Sequence, residues 1–246
     1  MKKNSLIAGV LLLPFVLAGC INLTATGFLN CLDGSGNILT ESKELQNFNS
    51  VTLRGQGDLF LTQADEFSVR VETDDNILQQ LEVTVKGNVL EIGPKAGVPC
   101  LDPTEAINVW VTMKEVKAIS INGSGSIIGQ SKITSDNLSF NISGSGNVNA
   151  DIAVSNISTT ISGSGKVVLS GTARSQSFVA SGSGKLQSFN LDTKISTVTI
   201  SGSGKAEVKA QESLNATISG SGTVFYKGDA HINQKVSGSG TIKHIL

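Results

Sequence analysis

The chain has 246 residues, 39% of them hydrophobic, 4% aromatic and 16% charged, with a formal net charge of −1. Such a balance offers no basic field to a phosphate backbone, which argues against nucleic acid as a partner. The chain is rich in Val, Ile, Ser, Thr and Gly and shows no long amphipathic helix, so it reads as β.

The first segment is an address. Lys2 and Lys3 precede an apolar run from Leu6 to Leu17, the length of a signal peptide and short for a bilayer span. The run ends in Leu17-Ala18-Gly19-Cys20, which resembles the lipobox of bacterial lipoproteins at all four positions. That resemblance implies removal of residues 1–19, diacylglycerol on the Cys20 thiol, and acylation (palmitate) of the new amino terminus. Several acyl chains hold a protein stably on a membrane. A secreted protein with a chance cysteine is the alternative. Ile21 stands where an inner-membrane retention signal carries Asp, so the expected place is the outer membrane of the cell envelope, on either face. Losing Lys2 and Lys3 leaves 17 basic residues against 20 acidic ones, a net charge of −3.

Residues 20–44 read as a lipidated tether and first turn. Within them DGSGN (33–37) has the Asp-x-Ser-x-Asn spacing of a calcium loop, with Glu44 beyond. It lacks the sixth-position Gly and flanking helices, so a turn is expected and no metal. Cys31 and Cys100 are either an exported protein's disulfide or two buried thiols.

Residues 45–113 form an N-terminal β region, with strand-like stretches at 50–63, 67–73, 81–93 and 107–113. KGN (86–88) predicts a hairpin turn. DDNILQQL (74–81) predicts one or two helical turns capped by Asp74 or Asp75. The loop 94–106 holds three of the four prolines and Cys100, and reads as a boundary or surface excursion.

Residues 114–246 repeat. Gly-Ser-Gly begins at Gly123, Gly144, Gly163, Gly182, Gly202, Gly220 and Gly238, and Gly55-Gln56-Gly57 is a divergent eighth copy. Four residues before each first glycine stand Ile119, Phe140, Thr159, Phe178, Val198, Ala216 and Gln234. Two before it stand Ile121, Ile142, Ile161, Ala180, Ile200, Ile218 and Val236, and four after it Ile127, Val148, Val167, Leu186, Ala206, Val224 and Ile242. These share one parity and hence one face of an extended strand. Both glycines fall on that inward parity, where the backbone can approach closely and bend. The opposite parity is polar. A period near 19 predicts a right-handed parallel β-helix, or β-solenoid, with turns of about 18–21 residues. An antiparallel β-sandwich is the alternative.

SGSGK at Lys166, Lys185 and Lys205 invites a phosphate-loop reading. No Ser/Thr follows these lysines and no helical pattern begins there, so a nucleotide site is not expected.

GSGNILTESKELQNFNSVTLRGQGDLFLTQADEFSVRVETDDNILQQLEVTVKGNVLEIGP followed by serial SGSG units resembles the putative auto-transporter adhesin head GIN domain family, over about residues 34–244. The resemblance implies export, often as a lipoprotein, a β-helix-like fold and an adhesin role, with no catalytic residues to carry over. The residues agree. His231 and His244 have no Cys/His cluster beside them, no Gly-x-Ser-x-Gly elbow exists, and Asp58, Asp74 and Asp75 have no evident partner across a cleft. No catalytic residue, cofactor or metal is expected.

The expected function is a surface binding or adhesion module. Its candidate face is the serine ladder Ser145, Ser164, Ser183, Ser203 and Ser221 beside the lysine strip Lys166, Lys185 and Lys205. Hydroxyls in an array can hydrogen-bond glycans, matrix or envelope proteins, or ordered water, which also admits ice binding. The bland reading is that serines solubilise a bend and lysines discourage sheet aggregation. A structural spacer or self-assembling scaffold is the alternative, with homo-oligomers through the C-terminal turn TIKHIL (241–246). A polysaccharide-cleaving β-helix is a third reading, on fold analogy alone.

Overall fold

The structure is a computed structural model that describes residues 31–246. The lipobox and Cys20 lie outside the described residues. Strands make up 71% of it and helix 2%.

Short elements come first: β1 (Leu32–Asp33), β2 (Ile38–Lys43), β3 (Ser50–Gly55), β4 (Asp58–Gln63) and β5 (Ser68–Asp74). A single helical turn, α1 (Asp75–Leu78), leads to β6 (Leu81–Lys86), β7 (Val89–Pro94), β8 (Leu101–Asp102) and β9 (Asn108–Met113). Then come β10 (Ala118–Gly123), β11 (Ser126–Gly129) and β12 (Ile133–Gly144). Four long strands follow, β13 (Asn147–Gly163), β14 (Lys166–Gly182), β15 (Lys185–Gly202) and β16 (Lys205–Gly220). The last elements are β17 (Thr223–Lys227), β18 (His231–Ser237) and β19 (Thr241–His244).

From β10 onward all pairing is parallel and runs from one turn to the next. The molecule is a β-solenoid of about seven turns, each of about 19 residues. The antiparallel sandwich is thereby set aside: its hairpin-linked neighbours would pair in opposite senses. Strand β3 stacks in parallel on β10 and β4 on β11, so Gly55 sits in register with Gly123. The divergent copy at Gly55-Gln56-Gly57 is a true bend of the same stack.

The inward parity builds the core. Leu53, Ile121, Ile142, Ile161, Ala180, Ile200 and Ile218 form one buried column across the turns, and Leu59, Ile127, Val148, Val167, Leu186, Ala206 and Val224 another. Each large aliphatic contributes about 1.5–3 kcal/mol by leaving water. One column carries a polar intruder. Gln176 lies between Ile157 and Ser196, is 1% exposed, and neither amide atom has a hydrogen-bond partner. The neighbouring buried Thr193 and Ser196 satisfy each other, and Thr193 also donates to the Lys209 carbonyl.

Main-chain hydrogen bonds continue through the bends. Ser145, Ser164, Ser183, Ser203 and Ser221 donate their N–H to the first glycine carbonyl of the preceding turn at 2.8–2.9 Å. The two glycines of a bend have different reasons to be glycine. Gly163 has φ +125°, and a Cβ there would lie 2.4 Å from the Gly144 carbonyl oxygen below. Gly165 points inward, where a Cβ would lie 2.6 Å from Ile142 Cγ2. The first cannot carry a side chain because of backbone beneath it, the second because of packed core.

The first end of the solenoid is closed by strands that turn back. β6 and β7 form the expected hairpin, with Gly87 at φ +62°. β5 lies antiparallel to both β9 and β2. Phe48, Ile77 and Met113 are buried in this part of the core. Cys31 and Cys100 are disulfide-bonded, with Cα atoms 4.6 Å apart, and β1 pairs with β8 beside the bridge. The predicted helix forms for one turn, but Asp74 makes no side-chain cap. Its carboxylate instead accepts from Thr104 Oγ1 at 2.5 Å, the Thr104 N–H at 2.9 Å and the Gly36 N–H at 2.7 Å. Asp75 accepts from Ser35 Oγ and Asn37 Nδ2. The Asp-x-Ser-x-Asn segment is therefore a turn docked on α1.

Three outcomes follow for stability. Gly163→Ala should destabilise by more than about 2 kcal/mol in chemical denaturation, whereas Gly97→Ala, at φ +87° with open space around it, should cost about 1–2 kcal/mol. Gln176→Leu should raise stability by about 1–3 kcal/mol, because the removed amide has no partner to lose. The Thr104 hydroxyl holds the Asp74 carboxyl below its ordinary 3.8, and the Ser35 hydroxyl does the same for Asp75. Both groups stabilise the fold above that value, and their contribution is lost as pH falls through the lowered folded values. Amide protection of Gly36 and Thr104, corrected for intrinsic exchange, should fall on acidification and do so less in Asp74→Asn.

Candidate functional site

The register that stacks the core also stacks the outside. On the strands that lead into the bends, the outward parity gives the columns Ser139, Ser158, Ser177, Thr197 and Asn215, then Asn141, Thr160, Val179, Thr199 and Thr217. A third column is Ser143, Ser162, Ser181, Ser201 and Ser219. Neighbours lie about 4.8 Å apart between turns and about 6.6 Å apart along a strand. Val179, 38% exposed, is the apolar interruption.

The serine ladder of the bends is where the sequence places it. Ser145, Ser164, Ser183, Ser203 and Ser221 are all exposed, and only their backbone N–H groups are engaged by the turn below. Lys166, Lys185 and Lys205 are direct neighbours in successive turns. The strip is not uniformly cationic. Lys205 pairs with Glu207 at 2.6 Å, and its ammonium lies 4.8 Å from the Phe225 ring centroid.

A concave feature appears at a different corner. In β13 the alternation breaks: Val154 and Ile157 are buried and both residues between them, Ser155 and Asn156, are exposed. This two-residue corner recurs at Asp136-Asn137. Along it Asn156 Nδ2 donates to Asn137 Oδ1 at 3.0 Å, and Ser175 Oγ donates to Asn156 Oδ1 at 2.6 Å. The amide ladder and the column Ser139, Ser158 and Ser177 line an open groove of about 790 Å³. Glu115 and Lys117, paired at 3.1 Å, also line it. Counting by twos from the glycines puts the groove residues on the outward parity, but it does not show the corner, because the parity reverses there. The available signal was Asn137, Asn156 and Ser175, each seven residues before a bend glycine.

The groove has hydrogen-bonding hydroxyls and amides but no reactive constellation. Among the described residues no group of three or more His, Cys, Asp or Glu could hold a metal. His244 stacks on Tyr226 at 4.8 Å between centroids in the last turn, and His231 is exposed. Asp74 and Asp75 are occupied by the first-end turn. Asp58 begins β4, in register with Asn108 and Ser126. Lys86, Glu82, Arg54 and Glu91 form a half-exposed ion-pair chain beside the hairpin, where Arg54 lowers the Glu82 carboxyl and Glu91 raises the Lys86 ammonium. No helix among the described residues is long and apolar enough to cross a membrane.

Fold and face together define an all-β solenoid with a hydroxyl-rich outer surface. Residues 47–230 match the family model described as "Putative auto-transporter adhesin, head GIN domain", and the chain belongs to that family. A solved structure named a putative adhesin, from Bacteroides fragilis NCTC 9343, is similar with TM-score 0.82 and 26% identity, covering 87% of this chain and 100% of its own. One named a putative lipid binding protein, from Parabacteroides distasonis ATCC 8503, has TM-score 0.74 and 29% identity over 87% of this chain and 99% of its own. A putative adhesin from Parabacteroides merdae ATCC 43184, 24% identical with TM-score 0.68 over 87% of this chain and 99% of its own, shares the fold. No curated protein matches the chain.

Proposed function

We propose that the protein is a non-enzymatic binding module of the bacterial envelope, held on the outer membrane by lipid at Cys20, that takes an extended glycan along the corner groove. The observation that carries this reading is the groove itself: Asn137, Asn156 and Ser175 at the corner, with Ser139, Ser158 and Ser177 alongside. Its turn-to-turn repeat presents the same donors and acceptors again about every 4.8 Å, which suits a flexible polymer with many hydroxyls better than one compact ligand. The groove lining is mostly uncharged, so recognition rests on hydroxyl and amide hydrogen bonds rather than ion pairing. Membership of an adhesin-named family supports binding over catalysis. The exposed bend ladder Ser145 to Ser221 acts as a solubilising edge.

The test is binding of residues 21–246 to a glycan panel, with two variants confirmed folded by circular dichroism. Ser158→Glu/Ser177→Glu should weaken binding at least about ten-fold, equivalent to about 1.4 kcal/mol. Ser164→Glu/Ser183→Glu/Ser203→Glu should leave affinity within about two-fold. The opposite pattern would move the site to the bends. No saturable glycan binding by the unsubstituted protein would overturn the reading.

A further inference from the structure

The two ends of the solenoid are unlike, and both leave strand edges open. At the first end, among the described residues, β2 pairs only with β5 and β6 only with β7. At the last end, again among the described residues, β18 pairs only with β16 and β19 only with β17. Each edge presents a row of unpaired N–H and C=O groups, which templates another strand.

Apart from Val179 and Ile195 on the wall, the exposed large aliphatic side chains lie at the same places. Ile38 and Leu39 on β2 are 38% and 46% exposed, and Val236 on β18 is 42% exposed. Val236 is the last member of the column that holds buried Ile200 and Ile218. The last turn therefore shows one face of a core that nothing among the described residues covers, and solenoid ends normally need a polar cap.

Charge then distinguishes the partners. Residues 33–45 carry Asp33, Glu41 and Glu44 against Lys43. Residues 231–246 carry Lys235 and Lys243 and no acid. Two first ends repel one another, two last ends repel one another, and a first end attracts a last end. Strand sense also fits. β9 is parallel to β4, while β5 is antiparallel to both β9 and β2. β2 therefore runs in the sense of β4, β11 and β13, the sheet that ends in β19.

We infer that the last turn of one copy docks on the β2 and β6 edges of a second copy, head to tail. β19 adds to β2 in parallel and β18 adds to β6 antiparallel. The interface buries Ile38, Leu39 and Val236 and brings Lys235 and Lys243 to the end that carries Glu41 and Glu44. Such a contact is heterologous and does not close, so it extends into rods rather than stopping at a dimer. This goes beyond glycan recognition and stands without it.

The test is sedimentation velocity and electron microscopy of residues 21–246, which contain every described element, across a concentration series at low and high salt. The expected result is concentration-dependent rods whose length grows in steps of one solenoid, weakened by salt. Lys235→Glu/Lys243→Glu and, separately, Glu41→Lys/Glu44→Lys should each weaken association at least about ten-fold. Glu41, Glu44, Lys235 and Lys243 are exposed, so both variants keep the fold. Mixing the two variants restores unlike ends and should restore rods. A protein that stays monomeric at every concentration would overturn the inference. So would compact dimers, or rods indifferent to both charge reversals, since either places the contact elsewhere.

Discussion

The constraint on which everything else rests is the distance between one glycine and the glycine below it. The first bend glycines Gly55, Gly123, Gly144, Gly163, Gly182 and Gly202 each give the carbonyl oxygen to a serine N–H of the next turn. The same oxygen occupies the space that a Cβ on the next first glycine would need, at 2.2–2.8 Å. Hydrogen bond and exclusion act on one atom. The chain can bend sharply there without interrupting the ladder, and only glycine can make that bend. Once the bends are fixed above one another, every residue is fixed above its counterpart. The aliphatic columns inside and the hydroxyl columns outside are two consequences of one register.

Much of this is visible in the amino acids, because a strand's period of two makes burial periodic in the sequence. The inward columns follow from counting outward from Gly144 or Gly163, and the structure buries nearly all of them. The count goes wrong where the backbone stops alternating. Ser155 and Asn156 both face out, so every position before Asn156 changes sides, and the corner that shapes the groove is not visible in glycine-based parity, although Asn156 and Ser158 fall on its outward side. Gln176 is a different case: six residues before Gly182, it falls on the inward parity with Ile157. Its polarity argues for the outside, and the pairing with Ile157 and Ser196 shows that the parity prevails.

Strand direction is the other quantity that side-chain pattern does not carry. FSVRVET and INVWVTM alternate alike, yet β5 and β9 run oppositely. Direction comes from connections. The two residues Gly87 and Asn88 permit only a hairpin between β6 and β7, whereas the glycine bends carry the chain around to a parallel neighbour. The turned-back strands give the first end a closed core that the last end lacks. The outer columns are mostly short, uncharged side chains, and several of the ion pairs sit beside the hairpin or at the solenoid corners. Exposed pairs of that kind contribute little to stability, and their position leaves the hydroxyl faces free of strong fields.

A stack of near-identical turns faces a counting problem. If one turn were skipped during pairing, glycine would still meet glycine and isoleucine would still meet isoleucine, so the main ladder could not detect the error. The irregularities can. The bend glycines are separated by 21, 19, 19, 20, 18 and 18 residues, and the register shifts after Val168 and Ser188 absorb those differences between particular neighbours. Gln176 and Ser196 mark two adjacent turns in a column otherwise filled by Leu138, Ile157, Leu214 and Ile232. A frame-skipped stack would set Gln176 directly against Leu214 and leave a loop of the wrong length bulging from the wall. The defects in the repeat thus act as page numbers, allowing a sequence that says nearly the same thing seven times to be assembled in only one order.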